Sequence, residues 1–235
     1  MIRLRDVGFS YRNGSAVLDG VNLELPAGLT LLLGPNGCGK STLLKLLAGV
    51  ERPDRGSVEI AGHDLWKEEV AARMRLAYVS EQPDLTPYAT IRDVIRLVCQ
   101  LRDQPAASGR ETLEKAGIAG IAGRSIRELS MGQRRRAVLA AAWIGTPKIA
   151  LLDEPLEAMD RAIREEILAW IDRLVGGGTC VVIATHEIEP FIGKAARALT
   201  VRDGKCELRA PLPPDSSERL AFLELWSRGV WKNAT

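Results

Sequence analysis

The stretch Gly34-Pro-Asn-Gly-Cys-Gly-Lys-Ser-Thr42 follows the spacing G-x-x-x-x-G-K-[ST]. Glycines at this spacing let backbone N–H groups turn inward on a diphosphate, and a helix that follows directs its positive dipole end at the same anion. Lys40 would meet the β- and γ-phosphates of a nucleotide, and the Ser41 hydroxyl a Mg2+ ion. Gly34, Pro35, Asn36, Gly37, Cys38, Gly39, Lys40, Ser41 and Thr42 together form a candidate binding loop. Further along, Ile149-Ala-Leu-Leu-Asp-Glu154 ends an apolar run in two adjacent carboxylates. Asp153 is placed to hold Mg2+ through water, and Glu154, expected on the other face of the pleat, to take a proton from attacking water. A second apolar run, Thr179–Ala184, delivers Thr185-His186-Glu187, whose imidazole would contact a terminal phosphate or polarise the water.

A third cluster is Leu129-Ser-Met-Gly-Gln133. Ser130 reads as an N-cap with Gly132 and Gln133 in the first turn, so a second anion site at a helix N-terminus is available. Arg134-Arg-Arg136 follows at once and opposes the helix dipole, which points to a task beyond helix stability. Gln82, at the carboxyl end of a short strand, is a weaker candidate for Mg2+ or its water. Tyr11 either stacks on a nucleotide base or only packs. His63, with no His or Cys neighbour, is expected to be solvated.

The elements that must position these groups are legible in outline. Ile2–Ser10 and Val17–Leu25 read as strands joined by a turn at Arg12-Asn-Gly14. Leu29–Leu33 is an apolar strand and Leu43–Ala48 a helix, so the glycine loop joins strand to helix. Ser57–Ala61 and Leu76–Val79 are further strands. Thr90 caps a helix carrying Ile91, Val94, Ile95, Val98 and Leu101; Gln104–Gly109 reads as a loop and Glu111–Ala116 as a second short helix. A helix from about Arg161 to Val175 places Ile163, Ile167, Trp170, Ile171 and Leu174 on one face. Ala198–Arg202 and Lys205–Arg209 form a hairpin, and in the tail Ser216-Ser217 would cap a helix with Leu220, Leu223, Leu225 and Trp226 partly on one side, expected either to pack back on the domain or to dock on a partner chain.

At 235 residues, 46% hydrophobic and 26% charged with a net charge of +2, the chain can bury one sizeable core, and its balance implies neither a nucleic-acid partner nor an acidic substrate. Its N-terminus lacks the apolar core of a signal peptide, and a cytoplasmic chain is expected. Cys38, Cys99, Cys180 and Cys206 show no C-x-x-C pair, so reduced thiols are expected rather than a zinc or redox site.

The order of these motifs resembles the nucleotide-binding subunit of an ABC transporter, over about residues 2–209: phosphate loop Gly34–Thr42, glutamine loop at Gln82, signature Leu129–Gln133, the strand ending Asp153-Glu154, and the switch histidine His186. The implied fold is α/β: a P-loop NTPase core with a mainly parallel sheet, an N-terminal antiparallel β lobe, and a helical insert lobe at about 84–130, followed by a 210–235 tail. Tyr11 resembles the family's adenine-stacking aromatic. The resemblance implies an ATPase working with ATP and Mg2+ as a head-to-tail dimer, with a second copy or a homologous subunit. Lys40, Ser41, Gln82, Asp153, Glu154 and His186 of one copy would face Ser130, Gly132 and Gln133 of the other, with Asp160 crossing between them. It further implies membrane-spanning permease subunits docked near the helical lobe, a peripheral place on the inner face of the membrane, and no nucleic acid. Met131 stands where the family's signature commonly has Gly, and Leu156-Glu-Ala-Met159 where Ser or Thr followed by Gly-Leu is commoner; neither removes a catalytic side chain. An ABC ATPase acting on DNA or ribosomes would carry a long coiled coil or a tandem second half, and a GTPase an Asn-Lys-x-Asp; the sequence has none of these. Cargo belongs to other chains, and the direction of transport leans to export.

Overall fold

The computed structural model describes residues 1–12, 14, 16–83 and 85–230. In chain order the elements are β1 (Ile2–Ser10), β2 (Ala16–Leu25), β3 (Gly28–Leu33), α1 (Lys40–Ala48), β4 (Arg55–Ile60), β5 (His63–Asp64), α2 (Glu69–Arg73) and β6 (Leu76–Val79). They continue with α3 (Ile91–Leu101), α4 (Ala106–Lys115), α5 (Met131–Ala142), β7 (Ile149–Asp153), α6 (Arg161–Gly176), β8 (Cys180–Ala184), β9 (Ala195–Arg202), β10 (Lys205–Arg209) and α7 (Ser216–Ser227). An N-terminal antiparallel sheet has the order β2-β1-β4-β5; the second sheet runs β10-β9-β3-β8-β7-β6, parallel except for the β9–β10 hairpin. The turn expected at Arg12–Gly14 includes Asn13, which, like Trp231 in the tail, lies outside the described residues.

Strands β3, β7 and β8 are apolar almost throughout because both faces of their sheet are covered. Alternation sends Leu31, Leu33, Leu152, Val181 and Ile183 into a core shared with α3, α4, α5 and α6. Their neighbours Leu32, Leu151 and Val182 enter a second core with α1 and the N-terminal sheet. In register, Leu32 and Asp153 both pair with Ala184, so β3, β7 and β8 release the chain at one edge of the sheet. That edge, outside the carboxyl ends of parallel strands, is where an open α/β sheet binds ligands.

Several elements differ from the sequence expectation. Helix α4 begins at Ala106, inside the stretch expected as a loop, because Gly109 lets it cross α3 closely: a Cβ there would sit 2.7 Å from Ile95 Cγ2. His63 stays partly exposed, as expected, but is also tied down: its residue pairs with β4 and its Nδ1 lies 2.9 Å from Glu68 Oε1. Asp215, rather than Ser216-Ser217, caps α7, accepting from the N–H groups of Ser217 and Glu218. That helix packs on the sheet: Leu223 is fully buried, Leu220, Phe222 and Trp226 lie against the same core, and Arg219 donates to Ile192 O at 3.0 Å. Leu225, expected on the packed side, is exposed.

Two arginines fasten the helical insert. Arg102, just after α3, donates to the carbonyls of Ala141, Ala142 and Ile144 at the end of α5 and to Leu76 O on β6. With no carboxylate in that set, burial pulls its pKa below the ordinary arginine value. Arg134 donates to the carbonyls of Ile126 and Arg127, closing the segment that precedes α5.

Candidate functional site

A cleft of about 720 Å3 opens at the releasing edge of the sheet. Gly39 lines it and Gly34 begins the loop that leads there: both have left-handed φ, +111° and +139°, and a Cβ on Gly39 would press on Val17 and Val201 at 3.1 and 3.2 Å. Those positions therefore accept glycine best. Lys40 is buried, and its ammonium lies in the loop with the carbonyls of Gly34 and Pro35 at 2.7 and 3.1 Å. Ser41, the second residue of α1, lines the cleft together with Asp153, the last residue of β7. Burial pushes the Asp153 carboxyl above the ordinary aspartate range, while Ser41 and the Lys40 charge act the other way.

Glu154 does not reach its place by the strand's pleat, as the sequence suggested. The strand ends at Asp153, and Glu154 turns out with φ +47°, a left-handed backbone that costs a non-glycine residue about 1–3 kcal/mol. Its N–H is fixed to Ala184 O at 2.9 Å and its Oε2 accepts from Thr185 Oγ1 at 3.2 Å. Burial raises its pKa above the ordinary glutamate value, opposed by His186, whose Nε2 lies 3.7 Å from Oε1. The same Nε2 is 3.1 Å from Asn36 Oδ1, so the imidazole bridges the phosphate loop and the carboxylate.

Tyr11 reaches the cleft from the end of β1, edge-on to Phe9, with its hydroxyl 3.3 Å from Thr42 Oγ1. The cleft thus gathers Tyr11, Asn36, Gly37, Gly39, Lys40, Ser41, Thr42, Asp153, Glu154 and His186. It also takes in Val17, Glu81, Glu157 and Glu187, which the sequence reading did not select. Gln82 stands outside the lining: after β6 the chain bends at Ser80, whose hydroxyl donates to Gln82 O, and Glu81 faces the cleft instead.

The signature cluster lies elsewhere in the chain. Ser130 caps α5 through a reciprocal pair, accepting from Gln133 N–H at 3.3 Å while its own N–H reaches Gln133 Oε1 at 3.0 Å. Ser130, Gly132, Gln133 and Arg136 border a separate hollow of about 390 Å3 with Ala158. Asp160 caps α6, accepting from Ile163 N–H at 3.1 Å, and pairs with Arg136. The three arginines that oppose the α5 dipole thus act as braces, each donating to carbonyls of a neighbouring segment. Among the described residues, no group of three or more His, Cys, Asp or Glu could hold a metal by itself, and no helix is long and apolar enough to cross a membrane.

A glycine loop feeding a helix, with a buried strand-end carboxylate in the same cleft as the loop's serine, defines a phosphate-loop nucleotide-binding domain. The model of the ABC transporter family matches residues 18–157, and the chain belongs to that family. It is 33% identical over 233 residues to the sulfate/thiosulfate import ATP-binding protein CysA of Gloeobacter violaceus, covering 94% of this chain and 67% of that protein. It is also 33% identical over 210 residues to the spermidine/putrescine import ATP-binding protein PotA of Spiroplasma citri, covering 87% of this chain and 59% of that protein. The chain therefore spans about three-fifths to two-thirds of the length of these relatives. A bacterial ABC transporter cassette solved as a dimer superposes with TM-score 0.78 at 26% identity, covering 91% of this chain and all of that one. A dimeric post-hydrolysis state of an ATP-binding cassette with ADP and Pi gives TM-score 0.77 at 25% identity, with 91% and 100% covered.

Proposed function

We propose that this chain is the ATP-binding and ATP-hydrolysing subunit of a transporter, and that it acts as a head-to-tail dimer around two ATP molecules. The observation that carries the reading is the division of the site. One cleft joins the phosphate loop to Asp153, Glu154 and His186, while Ser130 and Gly132 border a different hollow with no phosphate loop of its own. A second copy, or a homologous subunit, completes each site.

Within it, Lys40 neutralises the β- and γ-phosphates, and Tyr11 stacks on adenine. The oxygens of Ser41 and Asp153 suit Mg2+, which takes few protein oxygens alongside phosphates and waters. Bound there, the ion would neutralise charge developing on the transferred phosphoryl group. Glu154, less acidic than an ordinary glutamate, takes the proton as water attacks the γ-phosphorus and ADP leaves. His186 orients the water or the phosphate from the Asn36 side. Gln82, as the loop after β6 moves, senses the nucleotide. Membrane-spanning subunits dock on the helical insert, which carries α3 and α4, and hold the chain at the inner face of the membrane. The names of the relatives favour import over the export to which the sequence leaned.

Glu154→Gln tests the reading. Hydrolysis should fall by roughly 10²-fold or more, as loss of a positioned base does, while ATP binding survives and an ATP-stabilised dimer elutes in gel filtration. Near-normal turnover in this variant would refute it.

A further inference from the structure

Arg135 is buried on the same helix that carries the signature, five residues beyond Ser130, yet its guanidinium faces the catalytic loop. Its Nη2 donates to Glu154 O at 3.0 Å and its Nη1 to Glu157 O at 2.8 Å; the Glu157 carboxylate lies 3.3 Å from both nitrogens. The planar fork of an arginine holds two acceptors at fixed separation, which a flexible amine cannot do. The segment it grips needs holding: Glu154 and Ala158, at its two ends, both have left-handed φ, +47° and +55°. Such conformations persist only where surrounding contacts over-determine them.

We propose that Arg135 is a positioning residue that sets the backbone of Glu154, and so aims its carboxylate, in response to the position of the signature helix. The inference rests on Glu154 being the base. Whatever moves the start of α5, contact with the partner's nucleotide above all, is carried one and a half turns along the helix to the Glu154 carbonyl by a single side chain. Glu157 lies against the guanidinium as its counter-ion, so the buried cation and this cleft carboxylate form one unit. The chain departs here from the Ser or Thr pattern common in its family, and the departure gives this coupling its counter-ion.

The test is a cycle on the full chain: Arg135→Met, Arg135→Lys, Glu154→Gln and the double variants, each with a melting curve. Arg135→Met should lower kcat by roughly 10- to 100-fold, the scale of a misplaced catalytic group, with KM for ATP little changed, and Arg135→Lys should fall between it and wild type. In the Glu154→Gln background the same changes at Arg135 should have almost no further effect on residual turnover, because residues acting as a unit are not additive. Equal losses in both backgrounds, or a raised KM with unchanged kcat, would overturn the proposal. If Arg135→Met does not fold, Arg135→Lys in the two backgrounds decides by the same criterion. Near-normal turnover of Glu154→Gln alone would overturn the base assignment and this proposal with it, whereas a silent Arg135→Met beside an impaired Glu154→Gln overturns only the proposal.

Discussion

Removing the Arg102 guanidinium while keeping its stem, as in Arg102→Met, exposes how the helical insert is fastened. The side chain supplies donors to four carbonyls, three at the end of α5 and one on β6. The last carbonyls of a helix have no partner within it, so this arginine acts as a cap reaching in from another element. An orphaned buried acceptor costs about 1–3 kcal/mol, and the low end applies because water can follow the vacated guanidinium to a helix end. Ala141 O keeps the Ile144 N–H at 3.4 Å, so three at about 1 kcal/mol, offset by about 1–2 kcal/mol from no longer desolvating a cation, leave about 1–2 kcal/mol of destabilisation. For a chain of this size that lowers Tm by roughly 2–8 °C. Urea unfolding followed by far-UV circular dichroism reads the change directly, and Arg102→Lys should lose less. A variant within about 0.5 kcal/mol of wild type would refute the reasoning, since the carbonyls would then have satisfied themselves without the arginine.

Gly109→Ala should destabilise by about 1–3 kcal/mol through overpacking, despite a gain of about 1 kcal/mol in helix propensity, because the new Cβ would lie 2.7 Å from Ile95 Cγ2 and 3.0 Å from Cys99 Sγ; a raised Tm in calorimetry would contradict the close crossing of α3 and α4. Gly132→Asp should melt within about 0.5 kcal/mol of wild type, because a Cβ there meets nothing within 4 Å, yet lose ATPase activity by repelling the partner's phosphates. Exposed Met131, changed to Gly, should leave turnover within a few-fold; an active Gly132→Asp enzyme would contradict the cross-dimer role. Glu154→Gln should stabilise the nucleotide-free, EDTA-treated chain at pH 7. Burial raises the folded pKa of Glu154, so the folded state holds the proton more tightly and loses stability as pH rises from the unfolded to the folded pKa. Wild type and variant should converge at acid pH, and a variant less stable than wild type at pH 7 would reverse the sign.

What the sequence shows by periodicity survives in the structure almost unchanged. Strands β1, β6 and β10 span the same residues the sequence marks as strands, and the face of α6 formed by Ile163, Ile167, Trp170, Ile171 and Leu174 is the buried face. These patterns are local, set by burial at period 2 or 3.6. The start of α4 is not local: Ala106–Gly109 looks like a loop until α3 is packed against it. Likewise Glu154 reads as a strand residue because its left-handed turn leaves no mark on apolar spacing. Arg102 and Arg135 bind carbonyls 19 to 42 positions away, and a carbonyl looks the same in every residue, so nothing in the sequence names their partners. The one available signal was the Arg134-Arg-Arg136 triplet at the wrong end of a helix, which pointed to a task without saying which.

In the proposed dimer, the cap at Ser130 divides one hydroxyl between two tasks. Its oxygen accepts the N–H of Gln133, but the hydroxyl hydrogen takes no part in that bond and stays free to rotate outward. Helix nucleation uses a lone pair; an incoming oxyanion would use the proton. Folding and ligand capture therefore draw on opposite polarities of one atom group and do not compete. Thr preserves both roles, whereas Asp, as good a cap as Ser, offers no hydrogen and adds a negative charge facing the anion. Cap statistics alone would rank Ser and Asp as equals at this position, and the second task separates them.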